Sequence, residues 1–270
     1  METRPIDQAW RMPDELWRQM DPLLPKYPAS PLGGRPRLPL RQVVDGIFYL
    51  LRTGCQWKAL PPEFGSASAV HDYFQEWVRF GVFHRLWLRV LRHYDEVIGI
   101  DWTWLAVDGA MTKAPLGGDG TGDNPTDRSK SGTKRSVMTD GNGIPLAVQV
   151  GGANCHDKTM LHATIKEAQS IRPRPSENGP QHLCLDKGYD YADIRKLVED
   201  YLYIGHIPHR GEQPEQKRIP GYRAHRWVVE RTHSWFNRFR RLLIRWEKDV
   251  ENYIGLLHLA CAWITLRTVV

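Results

Sequence analysis

Apolar residues in the first third of the chain recur at helical spacing. Leu40, Val43, Val44, Ile47 and Leu51 share one helical face, and the pattern stops at Thr53-Gly54. Val70, Tyr73, Phe74 and Trp77 form a second stripe, with Ser66 or Ser68 as its cap and Gly81 as its stop. Residues 14–24 and 83–94 predict two further short helices. Prolines 25, 28, 31, 36, 39, 61 and 62 separate these segments. Residues 1–98 therefore read as a small all-α domain, akin to a helix-turn-helix module.

From Gly99 onward the period shortens to that of strands. An apolar run over 102–107 ends on Asp108-Gly109, and runs over 134–140 and 144–150 flank the hairpin signal Gly141-Asn142-Gly143. A helix is predicted over 157–169, a buried strand over 182–185 ending on Asp186, a helix over 191–200 and a strand over 203–207. Two helices, 222–247 and 251–268, close the chain. Residues 117–134 read as a loop, and their acids lack the alternating ligands and final Glu of a calcium-binding loop. The order β-β-β-α-β-α-β-α over 99–270 is that of an RNase H-like domain, an α/β (α+β) fold with a mixed sheet flanked by helices.

Bulk properties narrow the partners. The 270 residues carry a net charge of +6, with 41% hydrophobic and 25% charged residues, which excludes wholesale disorder. Charge is concentrated over residues 217–248, where ten Lys or Arg face only Glu230 and Glu247. Such clustering is the footprint of a nucleic-acid binder. No apolar run is long enough for a membrane span, no secretory leader opens the chain, and four dispersed cysteines suit a reducing cytoplasm.

Three acids carry the candidate chemistry. A carboxylate ending a buried apolar run is costly unless a charge meets it, and Asp108 and Asp186 both occupy such positions. If their strands lie side by side and parallel, both acids fall at one sheet edge, where open sheets bind ligands. With Glu230 they could cage two Mg²⁺ ions. The plainer alternative makes each aspartate a turn residue. Helical projection sets Val228, Trp235, Phe236, Phe239, Leu242, Leu243 and Trp246 opposite Glu230, and Arg223, Arg226, Ser234, Asn237 and Arg241 beside it. By periodicity alone Glu230 could equally be an i,i+4 partner of Arg226 on a solvated face.

Several segments together resemble bacterial insertion-sequence transposases of the family-five group, within the DDE (Asp-Asp-Glu) superfamily. They are Ala106-Val107-Asp108-Gly109, residues 124–134, Leu185-Asp186-Lys187-Gly188-Tyr189-Asp190 and residues 226–241. In the N-terminal half, residues 50–57 followed by Leu60-Pro61 resemble that family's helical module. The resemblance implies that Asp108, Asp186 and Glu230 form a catalytic, metal-binding triad. It implies two Mg²⁺ ions, replaceable by Mn²⁺, cleavage at the element's ends and strand transfer into target DNA. The chain departs from the related signature Tyr-x2-Arg-x3-Glu-x6-Lys. Arg223 holds the Tyr position with Tyr222 one residue early, and Asn237 holds the Lys position with Arg238 next.

Further expectations follow. Lys187, Arg223, Arg226, Arg238 and Arg241 would hold phosphates of double-stranded DNA, namely the terminal inverted repeats and the target. Arg35 and Arg37, in Gly34-Arg35-Pro36-Arg37, resemble a short minor-groove element, against the alternative of a Pro-rich linker. Asn154, His156 and Asp157 would support the acids from a strand end. A zinc site from His156, His206 or His209 lacks ligand pairs at suitable spacing. A homodimer on DNA, in the bacterial cytoplasm at the nucleoid, completes the expectation. The competing readings are a DNA-binding regulator without catalysis and a nuclease without strand transfer.

Overall fold

A computed structural model describes residues 6–28, 36–176, 179–209 and 222–270, with side chains of the last stretch from Trp227 onward. The helical period of the first third becomes α1 (Asp14–Met20), α2 (Leu40–Thr53), α3 (Ala67–Arg79) and α4 (Val82–Val97). Ser66 Oγ accepts the Ala69 N–H at 3.3 Å, which fixes the start of α3. At the end of α2, Gly54 takes φ +71°, and a Cβ there would sit 3.0 Å from Arg240. Both facts require glycine.

The sheet contains β1 (Trp104–Lys113), β2 (Gly122–Asp123), β3 (Ser131–Thr139), β4 (Pro145–Gly152), β5 (His182–Cys184) and β6 (Ile204–His206). β3 lies antiparallel between β1 and β4, while β5 and β6 extend the other side of β1 in parallel. This mixed α/β topology, with a helical region ahead of it, is the RNase H-like order expected. β2 is a two-residue addition pairing with the start of β3. Helices α5 (Asp157–Ala168), α6 (Ala192–Asp200), α7 (Tyr222–Asn237), α8 (Arg240–Leu243) and α9 (Val250–Leu266) complete the chain.

Helix α9 is apolar around its circumference and correspondingly buried. It packs along α4 on one side and against β4 on another, so the helical region and the sheet share one continuous core. A second link is polar. The Asp140 carboxylate is wholly buried and accepts the N–H groups of Asn142 and Ile144 and the Tyr94 hydroxyl. That ties the β3–β4 hairpin to α4. Thr232 Oγ1 donates to the Gly143 carbonyl at 2.6 Å, docking α7 on the same hairpin.

Two expectations need correction. Strand β1 does not end at Asp108, because β3 pairs with it as far as Lys113↔Gly132. Nor is 222–247 one helix. The chain leaves helical geometry at Phe239, makes the single turn α8, and then runs extended at Ile244, which bridges Lys113 at the end of β1. An unbroken helix would have carried Leu243 and Trp246 inward. Instead they are 44% and 38% exposed, and Arg241, Arg245 and Glu247 are buried.

These arginines are structural. Arg241 holds Glu247 at 2.7 Å and donates to the Cys55 carbonyl at 2.9 Å, joining the end of α2 to the C-terminal segment. Arg245 donates to the carbonyls of Gly120, Glu247 and Lys248 and to Thr133 Oγ1. A loop carbonyl that a calcium ion could have used thus already faces a guanidinium. Replacing Arg241 by Met should lower stability by about 3–5 kcal/mol in urea unfolding, since Glu247 would be left buried and unpaired. Adding Glu247→Leu should recover much of that loss, and a Met variant as stable as wild type would refute the assignment.

Candidate active site at the carboxyl ends of the central strands

The register of the parallel pair sets the geometry. Ala106 is level with Cys184, the last pair between β1 and β5. Two residues beyond that pair along the chain stand Asp108, still within β1, and Asp186, past the end of β5. Both follow the carboxyl end of the parallel region and are half-buried. Beyond Cys184 the chain turns away. Asp186 caps the 3-10 turn Lys187–Tyr189, its Oδ1 accepting the Gly188 N–H at 2.8 Å. The Asp108 Oδ1 accepts the Gly109 N–H at 2.9 Å.

Pairing also decides the faces, because cross-strand partners point the same way. Ser136 is paired with Gly109, and its hydroxyl meets Thr164 of α5 at 2.9 Å. Val137 is paired with Asp108, and Arg135, on the same face of β3, donates to Asn237 of α7 at 2.7 Å. The Asp108 side chain is thus on the face that α7 covers. Glu230 precedes Asn237 by about two turns of α7 and shares its stripe. Glu230 is exposed. Among the described residues, the carboxylates of Asp108, Asp186 and Glu230 do not form a group with all ligand atoms within 4.8 Å.

Three residues at this edge were not singled out from the sequence. Lys134 is buried and places Nζ 3.2 Å from Asp157 Oδ1 and 2.7 Å from the Cys155 carbonyl. Asp157 itself presses on Gly109, where a Cβ would stand 2.1 Å from its Oδ1. Only glycine next to Asp108 allows this approach. Tyr189 is buried under the cluster; burial and the charges of Asp157, Asp108 and Asp186 push its phenol well above the usual range. It stays protonated at any working pH. His233 lies behind Asp108 on α7, its imidazole held down to about 3 chiefly by burial, with Arg135 acting in the same direction. Lys134, Tyr189 and His233 all sit inside the motif segments around the acids, which was the one available signal.

The other expected residues disperse. Arg241 is not a phosphate contact: it is 4% exposed and engaged by Glu247. Arg238 and Lys187 are exposed. Arg37 is exposed and stacks its guanidinium 4.5 Å from the Tyr27 ring centroid. Arg35 and the side chains of Arg223 and Arg226 lie outside the described residues. Of the trio after β4, Asp157 reaches the acids' edge. His156 caps α5 and meets the Tyr191 hydroxyl at 3.3 Å. Asn154 packs over Gly122 and Gly152. His206 pairs with His182 at 2.8 Å and His209 with Arg195 at 3.2 Å, so the three histidines weighed for zinc go to separate partners.

Two families match successive parts of the chain. Residues 12–87 match the family described as a putative transposase of the IS4/5 family, and residues 95–265 match the transposase DDE domain. The putative transposase for insertion sequence element IS402 of Burkholderia cepacia is 37% identical over 158 residues, covering 54% of this chain and 70% of that protein. The putative transposase for insertion sequence element IS6501 of Brucella ovis is 24% identical over 139 residues, covering 50% and 98%. Among solved structures, the Mos1 transposase catalytic domain aligns over 67% of this chain and 90% of that one, at 13% identity and a TM-score of 0.31.

The Lys134–Asp157 pair, on the α5 face of the sheet, can be tested by itself. Lys134→Met should cost about 1–3 kcal/mol in urea unfolding, because the Asp157 carboxylate loses its ammonium partner. Asp157→Asn in the same background should restore most of it. Equal stability of wild type and the single variant would mean that the pair contributes nothing.

Proposed function

The chain belongs to the transposase DDE domain family, and on that premise we propose that it is an insertion-sequence transposase that cuts the ends of its element and joins them to target DNA. What supports this reading is that Asp108 and Asp186 each stand two residues beyond the last β1–β5 pair, with Asp108 on the face that the helix of Glu230 covers. Hard carboxylate oxygens on a half-buried edge fit Mg²⁺, with Mn²⁺ as a substitute. Asp108, Asp186 and Glu230 would hold two such ions, which when bound supply activation of a water or 3′-OH and stabilisation of the leaving oxygen.

The chain's own residues do the rest. Lys134 holds Asp157 in place on the α5 face, and Tyr189 keeps a proton available for hydrogen bonding to a carboxylate. Lys187, Arg223, Arg226 and Arg238 would hold phosphates, with Arg35 and Arg37 toward the minor groove; they position DNA more than they read it. Double-stranded DNA at the element ends and target is then the partner, engaged by a homodimer on the bacterial nucleoid. No helix among the described residues is long and apolar enough to cross a membrane.

The test uses purified protein, Mg²⁺ and a fragment bearing the element's own terminal inverted repeats. Cleavage and joining should fall at least about a hundredfold in Asp108→Asn, Asp186→Asn and Glu230→Gln, while DNA affinity changes little. Arg238→Ala should instead weaken binding and reduce the salt dependence by about one phosphate contact. Full activity in any of the three acid variants would overturn the site; binding without cleavage by wild type would favour the regulator reading.

A further inference from the structure

Far from the acids, three helices bring together His84 of α4, Glu167 of α5 and His258 of α9. A ring nitrogen of each histidine and a Glu167 carboxylate oxygen lie within 4.8 Å of one another. No other group of three His, Cys, Asp or Glu does so among the described residues. They line an open pocket of about 300 Å³, with Glu251 on its wall. Glu167 and Asp157 stand at opposite ends of α5, ten residues or roughly 15 Å apart along its axis. The cluster is therefore separate from the candidate active site.

Each group is oriented by a neighbour. Glu167 Oε2 accepts the Val148 N–H and the Gln149 amide, both at 2.9 Å, so the carboxylate is fixed. Trp87 stacks on His258 with centroids 5.3 Å apart and planes 25° apart. The two imidazole centroids are 4.8 Å apart. Hydrogen-bonded support of the kind Glu167 receives is characteristic of metal ligands. Two imidazoles and one carboxylate suit a borderline cation, and three protein ligands leave a fourth position to water. Mg²⁺, which favours oxygen and retains its waters, is a poor match.

We propose that His84, Glu167 and His258 bind one divalent transition-metal ion of the zinc class, which staples the N-terminal helical region to α5 and α9. The three ligands come from helices spread across the chain, so such an ion would restrain the packing of α4 on the catalytic region. Sequence spacing could not show it, since the nearest two ligands are 83 positions apart.

The full chain, freed of metal with a chelator and returned to buffer with excess Mg²⁺, would be titrated with Zn²⁺ by calorimetry. Co²⁺ would serve as a spectroscopic probe of four-coordinate geometry. The expected result is one equivalent bound, visible Co²⁺ bands, and a Tm increase of about 5–10 °C at a hundredfold excess over Kd. Binding should be lost in His84→Gln and in Glu167→Gln, and kept in the Asp108→Asn/Asp186→Asn protein. His84 is partly exposed, so its variant decides the matter should Glu167→Gln fail to fold. Absence of stoichiometric binding in folded wild type, or equal binding in the His84 variant, would overturn the proposal.

Discussion

The unequal pairing of β1 is the constraint on which the site depends. On one side β3 accompanies it for eight register pairs, from Ala106 to Lys113; on the other β5 stops at Ala106. The backbone of β1 is therefore held by β3 through Asp108, while its ladder with β5 ends two residues earlier. A strand that ended where its parallel partner ends would leave Asp108 on a loose turn. Past Cys184 the chain instead enters the Lys187–Tyr189 turn, so the ladder beside Asp108 ends there. The half-paired state gives a fixed position and an open edge together, which is what a charge needs if it must be both positioned and used.

Much of this was legible in the sequence, and the reasons differ by element. Helices α2 and α3 announce themselves because each buries one stripe and ends on glycine, at Gly54 and near Gly81. The acids at 108 and 186 stood out because a charge after an apolar run conflicts with burial. Strand order then placed them together. Lys134, Tyr189 and His233 were not legible as members of the edge, since their roles arise from cross-strand register and from a helix docking more than 90 positions later. The register puts Lys134 opposite Met111, and only the fold of the α5 entry brings Asp157 to it.

The basic C-terminal segment teaches a narrower lesson. A count of charges treats every arginine as surface, yet Arg241 and Arg245 are 4% and 1% exposed. Projection of 222–247 as one helix puts Arg241, Leu243 and Trp246 on the wrong face, while Leu242 is buried as projected. The competing force was the backbone: Ile244 gains a strand partner at Lys113, and the Arg245 N–H finds the Lys113 carbonyl at 2.8 Å. Once the helix breaks, arginines turn inward, and each must meet acceptors there or be intolerable. They do, through Glu247 and a set of carbonyls in the 118–120 loop and its surroundings.

The same arginines explain how the two regions of the chain can act together. Arg241 reaches back to the Cys55 carbonyl at the end of α2, while its neighbour in the same segment lies at the end of β1. β1 carries Asp108. A displacement of the helical region must therefore either break a buried, charge-assisted hydrogen bond or pull on the strand that holds a candidate catalytic acid. Packing of α4 along α9 makes a second, apolar linkage, and Tyr94 on Asp140 a third. Through these three attachments the helical region is joined to the sheet in one continuous core. If that region grips DNA, the position of the bound duplex relative to Asp108 is set by the folded core, not by a tether.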